Sequence, residues 1–189
     1  MFEYAVQKAR ELAEDYKLFV LNGHSTRKCE KEFLWRSGDL LNLEIRVHYL
    51  PVTLAPGAMS GTYIRGADSV DILLRQSMPP AWERFVLVKE VFHAVLDSEP
   101  FQNPNVMEHL EKTLFGEIPT GGTMPLHAVS EYAAHAAAAE FLFPWKDRKA
   151  ILNDKKQEAK DNIASEYGVP PTVVEHYLTS SAMKFYEFP

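Results

Sequence analysis

Residues 84–97 read Arg84-Phe-Val-Leu-Val-Lys-Glu-Val-Phe-His-Ala-Val-Leu-Asp97. Trp82, Phe85, Val86, Leu87, Val88, Val91, Phe92, Ala94, Val95 and Leu96 clothe nearly every side of a helix, which predicts a buried helix over 81–97. At roughly 100° per residue, Lys89, Glu90, His93 and Asp97 share one arc of about 100°. Ionisable groups gathered on a buried helix are costly unless paired, hydrated or bound to a metal.

The string Lys89-Glu90-Val91-Phe92-His93 is one substitution away from His-Glu-x-x-His. In that motif histidines at i and i+4 project from one helical face onto zinc, and the intervening Glu activates a zinc-bound water. Glu90 and His93 stand at the base and second-ligand positions, and Lys89 stands at the first. A fragment this short has an equally simple structural reading, a buried ion pair beside a satisfied core histidine. The stretch 131–144, Glu-Tyr-Ala-Ala-His-Ala-Ala-Ala-Ala-Glu-Phe-Leu-Phe-Pro, adds a second helix over 127–142. Its Glu131 and His135 lie one turn apart on a shared face. The alanines at 133, 134 and 136–139 permit a close helix pair, which would bring Glu131 against the polar arc. The plainer alternative is an Ala-rich core helix carrying two polar surface residues.

Around these two helices the chain reads as one α+β domain spanning 1–189. Its segments are a loosely assigned 1–60, a central 61–145 and a C-terminal helical 146–189. Phe2, Ala5, Val6, Ala9, Leu12, Ala13 and Tyr16 keep helical spacing over 2–17. The stretch from Leu18 to Gly38 receives no assignment. Alternation of Leu41, Leu43, Ile45, Val47 and Tyr49 predicts a half-buried strand at 41–49, closed by Pro51 and Pro56-Gly57. Two β-type runs, 61–66 and 69–74, flank Gly66-Ala-Asp68 as a hairpin. A short helix is expected from near Asn105 to Gly116, a loop at Gly121-Gly122, and helices at 146–167 and 171–182 divided by Gly168-Val-Pro-Pro171. The order is helix, small sheet, then helices.

Composition narrows the classes. Of 189 residues, 46% are hydrophobic and 12% aromatic, enough for a packed core and unlike a disordered chain. The formal net charge is −6 and the pI about 5.6, so a nucleic-acid partner is disfavoured. Cys29 is the only cysteine, which leaves no intramolecular disulfide and no Cys-rich zinc ribbon. Met1-Phe2-Glu3-Tyr4 lacks the basic-then-apolar pattern of a secretion signal, and no apolar run has the length of a membrane span. The expected location is cytoplasmic, with no membrane partner.

Three features in order resemble the ImmA/IrrE family of metallopeptidases, over about 61–180. They are the hairpin opening Gly61-Thr62-Tyr63, the aromatic-led segment Arg84 to His93, and Glu131 followed by Ala134, Ala137, Ala138, Leu142 and Pro144. The tail Ile163 to Leu178 is similar to the family's closing helix pair. The resemblance implies a zincin-like fold, with His93 and Glu131 at ligand positions and Glu90 at the base position. Lys89 fills the first histidine's place, and His135 sits where the family usually has Asn.

Two functional expectations follow, in a family associated with regulation. One is a pseudoenzyme in which Lys89 supplies the positive charge of the missing zinc and the scaffold binds a protein or peptide partner, such as a transcriptional regulator. The other is an active zinc endopeptidase whose metal is held by His93, Glu131 and His135, with Glu90 as base, cleaving a regulator such as a repressor. A DNA-binding role for 163–178 is disfavoured by Glu166 and Glu175 and by few cationic side chains. The remaining histidines (24, 48, 109, 127 and 176) show no partner spacing, although His127 lies close enough to the second helix to be of interest.

Overall fold

An apolar residue at every third or fourth position gives the first helix, α1 (Phe2–Phe19), one buried side made of Ala5, Val6, Ala9, Leu12, Ala13 and Tyr16. That side packs along a second long helix, α4 (Leu126–Leu142), whose opposite flank packs on α3 (Pro80–Leu96). These relations come from a computed structural model, which describes residues 2–20, 25–51, 60–96, 126–154 and 159–186. Helix α4 is thus clamped from two sides. Ala133, Ala134 and Ala136 to Ala139 are each at most 1% exposed, because small side chains let two neighbouring helices approach the same axis.

The sheet has three strands in the order β1 (Glu44–Leu50), β3 (Ser69–Arg75), β2 (Gly61–Arg65). Strands β2 and β3 form the expected antiparallel hairpin, with Tyr63 opposite Ile72 and Gly66 N–H donating to the Ser69 carbonyl at 2.7 Å. Strand β1 runs parallel to β3, with Val47 opposite Ile72, so the sheet is mixed. Val70, Ile72 and Leu74 alternate inward from the central strand and are fully buried against α3. The architecture is α+β, a small sheet on a helical core.

Several boundaries differ from the sequence reading. Helix α2 (Glu30–Leu41) begins in the unassigned stretch and runs past its end, so Leu41 closes that helix rather than opening the strand. Asn42 ends α2 in the left-handed region (φ 52°), and Leu43 N–H donates to the Gly38 carbonyl at 3.0 Å. The helix expected over 146–167 is two helices, α5 (Trp145–Asn153) and α6 (Lys160–Tyr167). Asp154 turns extended at φ −73° and ψ 129°, just after Asn153, a residue of poor helix propensity. The helix expected over 171–182 is also divided, into α7 (Pro171–Tyr177) and α8 (Ser180–Phe185), with the Thr179 hydroxyl accepting from Ala182 N–H at 3.2 Å. Gly168 separates α6 from α7 as expected, at φ 63°. The helix expected at 105–116, the loop at 121–122 and Asp97 lie outside the described residues, as do His24 and His109.

A buried charge cluster ties the C-terminal helices to α1. Arg148 is fully buried, and its Nη2 donates to Glu140 Oε2. Arg10 Nε and Trp145 N–H donate to Glu140 Oε1 at 3.0 and 3.3 Å. Arg10 also reaches the Tyr186 carbonyl at 3.1 Å, and Trp145 Nε1 the Met183 carbonyl at 3.1 Å. The Arg148 guanidinium lies 4.9 Å from the Tyr186 ring centre and 5.6 Å from that of Tyr177. Among the described residues, no helix is long and apolar enough to cross a membrane.

Candidate functional site

Helices α3 and α4 meet at their polar positions. Lys89 Nζ donates to Glu131 Oε2 at 2.9 Å and stands 3.0 Å from Glu90 Oε1. Glu131 Oε1 is 3.1 Å from His93 Nε2, so one carboxylate spans the lysine and the histidine. On its other ring nitrogen, His93 Nδ1 lies 3.4 Å from the Ser130 hydroxyl. The contacts of Lys89 with Glu90 and of His93 with Glu131 have ion-pair distances without hydrogen-bond alignment. Glu90 Oε1 and His93 Nε2 are accordingly buried with no hydrogen-bond partner. The site thus gathers Lys89, Glu90, His93 and Glu131, as their spacing suggested.

Strand β2 completes the floor. Gly61 and Tyr63, two residues apart on a strand, share a face. That face lies along Glu90 and His93, which are three residues apart on α3. The Tyr63 ring stacks on the His93 imidazole with centres 5.8 Å apart and planes 8° from parallel. A side chain at Gly61 would place Cβ 2.5 Å from Val86 Cγ1 and 3.2 Å from Glu90 Oε1, so only glycine permits this approach. The Gly-x-Tyr spacing was visible in the sequence, but its role here requires the register of β2 on α3.

His135 is oriented elsewhere. Its Nδ1 shares a hydrogen bond of 2.8 Å with the Tyr177 hydroxyl on α7, and its ring meets Phe85 edge-on at 4.7 Å. Burial and then the neighbouring Lys89 and His176 charges push its pKa down to about 4, so the ring is neutral at pH 7. Tyr177 carried no sequence signal as its partner, because the contact joins helices 42 residues apart. The His127 side chain lies outside the described residues, so its relation to the site is not described.

Electrostatics fix the state of the central pair. Burial alone disfavours the Lys89 ammonium, but the Glu90 and Glu131 charges outweigh it and hold its pKa above the ordinary value. Burial likewise works against the Glu131 carboxylate, yet the close contact with His93 and the charge and hydrogen bond of Lys89 hold it well below the usual range. Lys89 is therefore an ammonium at neutral pH, with no lone pair to offer a metal. Among the described residues, no three His, Cys, Asp or Glu side chains are grouped so as to hold a metal ion. This donor set does not fit a three-ligand zinc centre of the His-Glu-x-x-His type.

A short β-sheet lying on a helix that carries Glu-x-x-His, with a second helix supplying Glu131, defines a metallopeptidase fold. The sequence profile of the IrrE N-terminal-like domain, peptidase family M78, matches residues 41–179, and the chain belongs to that family. The match extends back from the hairpin through β1, while α1 and almost all of α2 precede it. No match to a curated protein was found.

Proposed function

We propose that this chain is a regulatory pseudopeptidase, in which the Lys89 ammonium takes the place of the metal and the fold binds a protein or peptide partner. The observation that carries this reading is the 2.9 Å bond from Lys89 Nζ to Glu131, at the ligand position implied by family resemblance. With that carboxylate engaged by lysine and histidine together, the Lys89 ammonium offsets part of the negative charge of Glu90 and Glu131 without a metal. Glu131 is 38% exposed, which leaves the site a polar rim that a partner can reach. A transcriptional regulator is the partner class that the family suggests, in the cytoplasm.

The second reading, a zinc endopeptidase with His93, Glu131 and His135 as ligands and Glu90 as base, has one observation in its favour. The depressed pKa of His135 keeps its imidazole neutral and able to donate a lone pair. Against it, one ring nitrogen of His135 is already engaged by Tyr177. Lys89→His separates the two readings from a single titration. Loss of an outer-sphere partner costs about 10–100-fold in metal affinity, so restoring a direct ligand should gain at least about tenfold. Isothermal titration with zinc is expected to show that gain. A folded variant with unchanged affinity would mean that position 89 is not a metal-ligand position, and the replacement reading would fall.

A further inference from the structure

Leu18, Phe19, Trp35 and Leu40 are 55–78% exposed, and they are the four most exposed large hydrophobic side chains among the described residues. All four lie on α1 or α2. One guanidinium ties them into a single face. Arg36 lies 4.4 Å from the centre of the Phe19 ring and 6.0 Å from that of Trp35. Asp15 and Asp39 hold it there, with Arg36 Nη2 donating to Asp15 Oδ1 at 2.8 Å. Leu40 follows Arg36 by one helical turn, and Leu18 precedes Phe19. Single exposed apolar residues are ordinary, but a cluster centred on tryptophan, phenylalanine and arginine has the composition of an interface hot spot. At these exposures the two aromatic side chains present about 180–300 Å², and the leucines bring the apolar area to roughly 400 Å². That is about half of the ~800 Å² that each partner gives to an interface of standard size, as the usual apolar share requires.

The charges along α2 select the occupant. Lys31, Trp35 and Asp39 are exposed and follow one another at four-residue intervals, so they form one stripe with tryptophan between opposite charges. Among the described residues Lys31 has no hydrogen bond or ion pair, and Asp39 keeps 59% of its side chain exposed beside Arg36. Such a stripe is complementary to itself. Turned end for end about Trp35, a second α2 sets its Asp39 opposite Lys31 and its Lys31 opposite Asp39, as two-fold symmetry requires. A uniformly basic or uniformly acidic partner would satisfy one end of the stripe and oppose the other. We propose that this face of α1 and α2 pairs the chain with a second copy of itself, the two α2 helices antiparallel about Trp35. The four apolar residues all precede residues 41–179, and the pairing is independent of whether the α3–α4 site binds metal.

The test is sedimentation equilibrium of the full chain. An interface of this size binds in the micromolar range or tighter, so the average mass should rise from 21.5 kDa towards twice that over about 1–300 μM. Trp35→Ala should weaken the dimer at least about thirtyfold, the scale of a central tryptophan. Lys31→Glu and Asp39→Lys should each weaken it roughly 3–10-fold, because each sets like charges opposite one another twice. Mixed in equal amounts, those two variants should associate with each other more tightly than either does with itself, since every facing pair is then of opposite sign. Circular dichroism checks that each variant is folded, and Lys31→Glu, changed at an exposed position, keeps the comparison available should Trp35→Ala not fold. A wild type that stays at 21.5 kDa throughout would leave the face to a different protein and overturn the proposal. So would a dimer indifferent to Trp35→Ala, or charge variants that do not prefer each other when mixed.

Discussion

Glu140→Gln is expected to destabilise the protein by about 3–5 kcal/mol, the usual cost of stranding a buried charge. Glu140 is 3% exposed and Arg148 is fully buried, with the rings of Phe143, Tyr177 and Tyr186 beside its guanidinium. Glutamine keeps the volume and one carbonyl acceptor but removes the charge that balances Arg148 and Arg10. The same carboxylate accepts from Trp145 N–H, so the start of α5 loosens with it. Urea denaturation of both proteins measures the difference. A loss below about 1 kcal/mol would mean that Arg148 is hydrated rather than paired. Arg10→Met should cost much less, because Arg10 is 30% exposed and water can replace its contact.

Lys89→Met carries the next largest expected effect, about 2–4 kcal/mol, and it divides between two carboxylates. Glu90 is 3% exposed and stands 3.0 Å from the ammonium, so its stranding accounts for most of the loss. Glu131 is more than a third exposed, and solvent screening reduces its share to about 1 kcal/mol. A double-mutant cycle with Glu131→Gln isolates that share. The coupling should be clear and favourable. If the two changes add within a few tenths of a kcal/mol, Lys89 and Glu131 are independently solvated, and the lysine does not take the place of a metal.

The site was legible in the sequence where its residues were strange for their surroundings. Lys89, Glu90 and His93 interrupt the otherwise apolar stretch 85–96, and that contrast located α3 and its polar face. Glu140 gave the same kind of signal, as the only polar residue within Ala136–Phe143, yet its partner Arg148 lies beyond the helix break at Pro144. Helix α2 was hidden for the opposite reason. Only Phe33 and Ser37 of it are buried while Trp35 and Leu40 stay exposed, so no clear apolar stripe marks it. The parallel pairing of β1 with β3 was also out of reach, since local alternation reports which faces are buried and not which strand lies alongside. Tyr63 and Tyr177 acquired their roles from tertiary register alone.

Elemental analysis of the wild-type protein, purified without a histidine tag, tests most directly whether lysine stands in for metal. The replacement account predicts zinc well below one ion per chain, because a charged lysine and two donors make a poor site at neutral pH. About one zinc per chain, lost on Glu131→Ala, would contradict it and favour the rebuilt metal centre.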